Sequence, residues 1–255
     1  MFPILFKIGP FTLHTYGLLV ALGFMAGIIL AIRNGKREGI AKEKILDIGF
    51  YTLIAAILGS RLFYVLVEYK YFIDNPADIF KIWEGGLVFY GGVFFAIPVV
   101  LFYFKKHALP ILKSLDLFAP SLAIGHAIGR LGCFSAGCCH GKPTNLPWGI
   151  TFTDPHSLAI RGIPLHPTQL YEFGTEFGTF IFLMFLRRHK QFDGQIIWMY
   201  VLLYSAARFI IEFFRGDSAR GFIYNGFSVA QGISVVLFIA AIASIAFIRK
   251  KSVQK

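Results

Sequence analysis

The sequence predicts an all-α, polytopic membrane protein of about seven transmembrane helices, and three observations predict it. Of the 255 residues, 56% are hydrophobic and only 15% are charged, against roughly 25% charged in a soluble domain. Several apolar stretches reach the ~20 residues that a bilayer-crossing helix needs. Basic residues alternate between rich and poor loops along the whole chain. Irregular backbone cannot face lipid, so helices are the expected spanning element. No long polar linker interrupts the chain, and a single transmembrane domain over residues 1–255 is expected.

The candidate spans are about 12–32, 47–68, 86–104, 115–134, 168–187, 195–214 and 227–248. Met1 to Phe11, interrupted by Lys7 and Gly9-Pro10, reads as a lead-in or as a segment lying along the membrane surface. No small-residue cleavage site follows an apolar core there, so no removable signal peptide is expected. Arg33 to Lys44, Lys105 to Lys113, Arg187 to Lys190 and Arg249 to Lys255 each hold three or more basic residues, and the alternate loops hold two or fewer. The positive-inside bias then puts the N-terminus on the periplasmic side and the C-terminus in the cytoplasm. Residues 135–167 form a periplasmic cap in this scheme. The net charge of +11 is a property of these loops, and no nucleic-acid partner is expected.

Three basic residues fall inside spans: Arg61, Arg130 and Arg208. A buried arginine there costs roughly 3 kcal/mol even on a lenient scale, which marks each as a functional candidate. In the predicted topology all three lie in the outer halves of their helices. Tyr16 (beside His14), Tyr90, Tyr171, Glu172 and Glu176 fall at similar depth. Tyr204, Arg208 and Glu212 are spaced to share one helix face. Singly, each is a packing contact; together they predict a polar cavity open to the outer leaflet. A competing reading makes Arg208–Glu212, and Arg61 with Glu172 or Glu176, buried ion pairs that hold helices together. Guanidinium forks match phosphate oxygens, so the cavity reading points to a phospholipid headgroup.

Polar chemistry is densest in Gly129-Arg130-Leu131-Gly132-Cys133-Phe134-Ser135-Ala136-Gly137-Cys138-Cys139-His140-Gly141, which holds every cysteine of the chain. Gly125, Gly129 and Gly132 permit close helix approach. The cysteine spacing fits no zinc pattern, and no metal site is expected from it. A disulfide from Cys133 to Cys138 or Cys139 and free thiols are equally open readings.

On this stretch the chain resembles the bacterial prolipoprotein diacylglyceryl transferases. Their signature, Gly-Arg-x-Gly-Asn-Phe-x-Asn-x-Glu-x-x-Gly, is matched at Gly129, Arg130, Gly132, Phe134 and Gly141. Leu13 to Leu18, Gly59-Ser60-Arg61, Glu84 to Gly92, His166 to Glu172 and Arg208 to Arg215 extend the resemblance in order over nearly the whole length. Cys133, Ser135 and Cys138 stand where the signature has Asn, Asn and Glu, and Tyr90 stands where the family often has histidine.

The resemblance implies a multi-pass enzyme of the bacterial inner membrane. Its reaction would move the sn-1,2-diacylglyceryl group of phosphatidylglycerol to the lipobox cysteine of a prolipoprotein signal peptide, the first step of lipoprotein maturation. A thioether forms and glycerol phosphate leaves, with no cofactor and no metal. The resemblance makes Arg130, Arg208, Tyr204 and Tyr90 the expected catalytic residues. It makes Arg130, Arg208, Tyr16, Arg61 and Glu212 the expected substrate-binding ones. The base is open: water, His14, or a thiol acidified by Arg130 and Arg208. Two other classes stay in view, a phospholipid-binding or flipping protein without chemistry and a membrane thiol oxidoreductase using Cys133, Cys138 and Cys139.

Overall fold

A computed structural model describes residues 2–9, 11–216, 221–224 and 227–253. In chain order the elements are β1 (Ile4–Ile8), β2 (Phe11–His14), α1 (Thr15–Glu38), α2 (Lys42–Val67), α3 (Tyr69–Asp74), α4 (Phe89–Lys106), α5 (Ile111–Ala136), β3 (Ile150–Thr151), β4 (Pro164–Leu165), α6 (Thr168–Leu186), α7 (Gln195–Glu212), β5 (Phe222–Tyr224), β6 (Phe227–Ser228) and α8 (Val229–Val253). Each strand pairs antiparallel with its successor, giving three two-stranded ribbons on an otherwise helical chain.

Among the described residues six helices, α1, α2, α4, α5, α7 and α8, are long and apolar enough to cross a bilayer. The remaining candidate, α6, has 19 residues. Its apolar character is diluted by Gln169, Glu172 and Glu176, all of them buried. One helix outruns its expected span clearly: α1 continues through Arg33, Lys36 and Arg37 to Glu38. The N-terminal stretch is a β-hairpin rather than a lead-in, with Ile8 opposite Phe11 and Lys7 opposite Thr12. Two β-prone runs flank Gly9, whose φ of 58° supplies the left-handed turn.

The chain divides into two compact units, Met1–Ala31 with Leu115–Lys255, and Ile32–Ser114. In the first, Ala119 and Ala123 of α5 pack with Leu183 of α6 and Ile196 of α7. Asp116 of α5 closes the start of α7: its carboxylate accepts the backbone N–H groups of Gly194 (2.7 Å), Ile196 and Ile197 (both 2.9 Å). Those are the N–H groups a helix start leaves unpaired. Lys190 lies 3.1 Å from the same carboxylate.

In the second unit α2 crosses α4 at Gly59 and Gly91. A Cβ on Gly59 would lie 2.5 Å from the Gly91 carbonyl oxygen and 2.6 Å from Phe95 Cβ. Small residues at such crossings allow the backbone contact that packs helices in lipid. Tyr103 of α4 donates to Asp47 of α2 at 3.0 Å, a second tie between them.

Candidate functional site: an arginine cluster gathered on one carboxylate

Three helices of the first unit supply the site, each along one face. His126 and Arg130 of α5 are one turn apart, as are Glu172 and Glu176 of α6, and Tyr200, Tyr204, Arg208 and Glu212 follow at four-residue steps on α7. Glu172 is the hub. Its Oε1 accepts from Nη1 of Arg208 at 3.0 Å and from Nη1 of Arg215 at 2.9 Å. Its Oε2 lies 2.5 Å from Nε of Arg130. Glu212 takes the other nitrogen of Arg208, Nη2, at 2.6 Å. Glu172 is 4% exposed, and breaking a buried pair of this kind by removing one partner is strongly destabilising.

Arg130 is held differently from the other two. Its Nε donates to Nε2 of His126 at 3.0 Å, and Nδ1 of that ring lies 3.4 Å from Glu176 Oε1. This geometry assigns the tautomer, with the proton on Nδ1 facing the carboxylate. Among the described residues neither Nη1 nor Nη2 of Arg130 has a hydrogen-bond partner. The side chain keeps 16% of its surface exposed. Tyr204 stands beside this group, its ring 5.6 Å from that of His126.

The chain beyond α5 explains how Arg215 reaches the hub. Residues 140–142 thread between the entry to α6 and the exit from α7. Gly141 N donates to His166 O at 2.9 Å, Lys142 N to Phe214 O at 2.8 Å, and His166 N to Lys142 O at 2.9 Å. A Cβ on Gly141 would lie 2.7 Å from both the His166 and the Phe214 carbonyl oxygens, so only glycine fits. Tyr16 of α1 packs against α5: a Cβ on Gly132 would touch its backbone oxygen at 3.2 Å.

The pocket bounded by His126, Glu172, Glu176, Tyr204 and Arg208 holds about 10 Å³ of water-accessible space, room for roughly one water. A larger, shallow hollow of about 670 Å³ lies by the start of α6, walled by Trp148, Ile150, Leu170 and Tyr171. Trp148 donates there to the Tyr171 hydroxyl at 2.8 Å.

The cysteines are free thiols. The adjoining Cys133 and Cys138 thiols, with Arg215 and Arg130 beyond them, hold Cys139 below the ordinary thiol range.

The residues named from the sequence are shared between the two units. Arg130, Arg208, Tyr204 and Glu212 come together with Glu172. Arg61 and Tyr90 belong to the second unit. Arg61 is buried, and its guanidinium donates to the carbonyl oxygens of Asp78 (2.5 Å), Ile79 (2.9 Å), Gly85 (2.8 Å) and Gly86 (3.2 Å). Gly85 and Gly86 turn their carbonyls toward it at φ of 91° and 68°. The expected pairing of Arg61 with Glu172 or Glu176 is corrected by these bonds, since Glu172 takes Arg130, Arg208 and Arg215 instead. Beside the clamp, the Lys81 ammonium and the Tyr71 hydroxyl, both hydrogen-bonded to it, hold Asp78 below the usual carboxylate range. Tyr90 is exposed on the first turn of α4, its ring 5.9 Å from that of Phe89. His126 and Arg215 escaped the sequence reading. The four-residue spacing of His126 from Arg130 was its only signal, and Arg215 reads as an ordinary loop charge.

Fold and site define a multi-pass membrane protein whose arginines converge on one buried carboxylate. The profile of the prolipoprotein diacylglyceryl transferase family matches residues 3–247. A phosphatidylglycerol–prolipoprotein diacylglyceryl transferase of Clostridium tetani is 39% identical over 242 residues, 95% of this chain and 96% of that protein. The Finegoldia magna protein of the same name is 39% identical over 239 residues, covering 93% and 92%. That of Bacillus licheniformis is 35% identical over 253 residues, covering 98% and 93%. The chain belongs to the prolipoprotein diacylglyceryl transferase family.

Proposed function

We propose that this transferase moves the diacylglyceryl group of phosphatidylglycerol to the thiol of a lipobox cysteine in a prolipoprotein signal peptide. The sulfur bonds to the glyceryl carbon, the carbon–oxygen bond to phosphate breaks, and glycerol phosphate leaves. The observation that carries the assignment of the site is the pair of open terminal nitrogens on Arg130, beside a carboxylate already shared with Arg208 and Arg215. A guanidinium edge is the natural partner of two phosphate oxygens.

Charge develops on the phosphate as the carbon–oxygen bond breaks, so cations fixed beforehand stabilise that state more than the ground state. In this reading Arg130 grips the phosphate and Arg208 supports the charge. Glu172 and Glu212 hold the guanidinium groups in register. Tyr204 and Tyr16 flank the headgroup. The thiol proton leaves under the same positive field and passes to water or to the departing phosphate. Arg61 acts as a backbone clamp in the second unit.

The topology proposed with this reading has α6 as a seventh crossing, about 28 Å long at helical rise. The N-terminus and the 135–167 cap face the periplasm, the C-terminus faces the cytoplasm, and the membrane is the bacterial inner membrane.

The test is incubation of the purified chain with phosphatidylglycerol and a lipobox peptide. The expected product is a thioether-linked diacylglyceryl peptide with release of glycerol phosphate, lost in Arg130→Gln and retained in Cys138→Ser. Lipid binding without product would return the flipping reading. Product lost in Cys138→Ser, in a folded protein, would return a chemical role for the thiols.

A further inference from the structure

The reaction above draws its nucleophile from the substrate, which leaves the protein's own thiols without a task. Cys133 sits near the end of α5, and Cys138 and Cys139 on the turn beyond it. Their three sulfur atoms lie within 4.8 Å of one another. Their spacing in sequence fits no zinc pattern, and adjacent cysteines seldom share an ion. The backbone removes that objection. Gly137 has φ of 78° and Cys139 φ of 62°. For a residue with a side chain the left-handed conformation costs roughly 1–2 kcal/mol, so something must hold the turn.

Two side chains at the start of α6 hold it. Thr168 Oγ1 donates to the Cys139 carbonyl at 2.7 Å, and Gln169 Nε2 donates to the Cys138 carbonyl at 2.7 Å. Both residues are 0% exposed. The turn is thus fixed in the conformation that faces all three thiols inward, by bonds that serve no helix of their own.

We propose that Cys133, Cys138 and Cys139 form a binding site for one soft, thiophilic cation of the Zn2+ or Cu+ class. Metal–sulfur bonds of about 2.3 Å place the sulfurs of a common ion roughly 4 Å apart, close to the separation already present. Thiolates select these ions over harder ones. Among the described residues no histidine or carboxylate joins the cluster. Cu+ would be held by three sulfurs alone, and Zn2+ would take a fourth ligand from solvent. Three thiolates around either ion leave a net negative complex. Bound thiol protons leave as the ion enters. The ion would tie the end of α5 to the turn that α6 grips, next to Arg130.

The experiment uses the full chain in detergent, reduced and stripped of metal. It is titrated separately with Zn2+ and with Cu+ against chromophoric chelators, with metal counted by mass spectrometry. One equivalent of at least one ion per chain is expected, with sulfur-to-metal charge-transfer absorption for Cu+. Cys133→Ser and Cys139→Ser should abolish it. Thr168→Val, which keeps every thiol but releases the turn, should weaken affinity about 10–100-fold. Retention of the elution volume and of phosphatidylglycerol binding verifies that each variant is folded. No binding beyond that of a Cys133→Ser/Cys138→Ser/Cys139→Ser variant would overturn the proposal. So would alkylation counting that finds two of the thiols joined as a disulfide in the protein taken directly from membranes.

Discussion

Arg130 meets Glu172 through its Nε, at 2.5 Å, and not through its two terminal nitrogens. Arginine and carboxylate more often join edge to edge with two parallel bonds. Here His126 and Glu172 both crowd the Nε side, and the opposite edge of the guanidinium is left for something else. Lysine has the charge but not the edge. Arg130→Lys should therefore lower kcat by roughly 10²–10³, the loss seen when one donor to a developing oxyanion is removed. The check is the transfer assay on protein whose thermal midpoint is unchanged. A lysine variant with near-normal kcat would mean that charge alone suffices.

Glu172 touches all three arginines of the cluster, so its loss should be felt as instability before it is felt as chemistry. Removing one partner of a buried ion pair costs about 3–5 kcal/mol, because the other charge is left uncompensated. Glu172→Ala is expected in that range by unfolding of the detergent-solubilised protein. Glu172→Gln keeps an oxygen for Arg208 and Arg215 but not the charge, and should fall between alanine and the native protein. If both variants unfold with native stability, the carboxylate is not the hub described.

His126 gives Arg130 an acceptor at 3.0 Å and is itself oriented by Glu176. A hydrogen bond from a charged donor contributes about 1.5–3 kcal/mol. His126→Phe, which keeps the ring and removes the acceptor, should therefore reduce kcat roughly 10–100-fold. His126→Gln restores an acceptor oxygen and should recover part of the loss. Equal loss in both variants, with the thermal midpoint falling alike, would make the histidine a packing residue only.

The membrane class was legible because composition and hydropathy depend on residue type alone. So was the face of α7, since Tyr204, Arg208 and Glu212 repeat at four-residue spacing. The hub was harder. Glu172 was visible as a buried carboxylate, but which arginines it serves depends on how 140–142 threads between His166 and Phe214, a tertiary fact without a local pattern. Arg215 reads as a loop charge for the same reason. The hairpin at Ile4–Ile8 and Phe11–His14 did leave a local signal, two β-prone runs around Gly9, which the apolar character of the segment obscured. The cysteines show the opposite failure. Their spacing fitted no zinc pattern, yet with Cys139 left-handed all three sulfurs lie together.

Arg61 is where residue type alone points to a ligand and local structure points elsewhere. An arginine inside a span, in a family-like Gly-Ser-Arg, suggests an anion. Its guanidinium instead donates to four backbone carbonyls between Asp78 and Gly86, and its carbon lies 5.5 Å from the centre of the Tyr64 ring and 5.4 Å from that of Phe72. Those carbonyls belong to short 3-10 turns and a glycine pair that have few bonds of their own. Arg61→Ala should destabilise the protein by at least about 3 kcal/mol, two charge-assisted bonds' worth, and expose residues 76–88 to proteolysis. The KM for phosphatidylglycerol, measured below the lowered midpoint, should stay where it was. A raised KM with unchanged stability and protease resistance would move Arg61 from the clamp to the substrate, because a side chain that only closes a loop has no means of changing lipid affinity while leaving that loop intact.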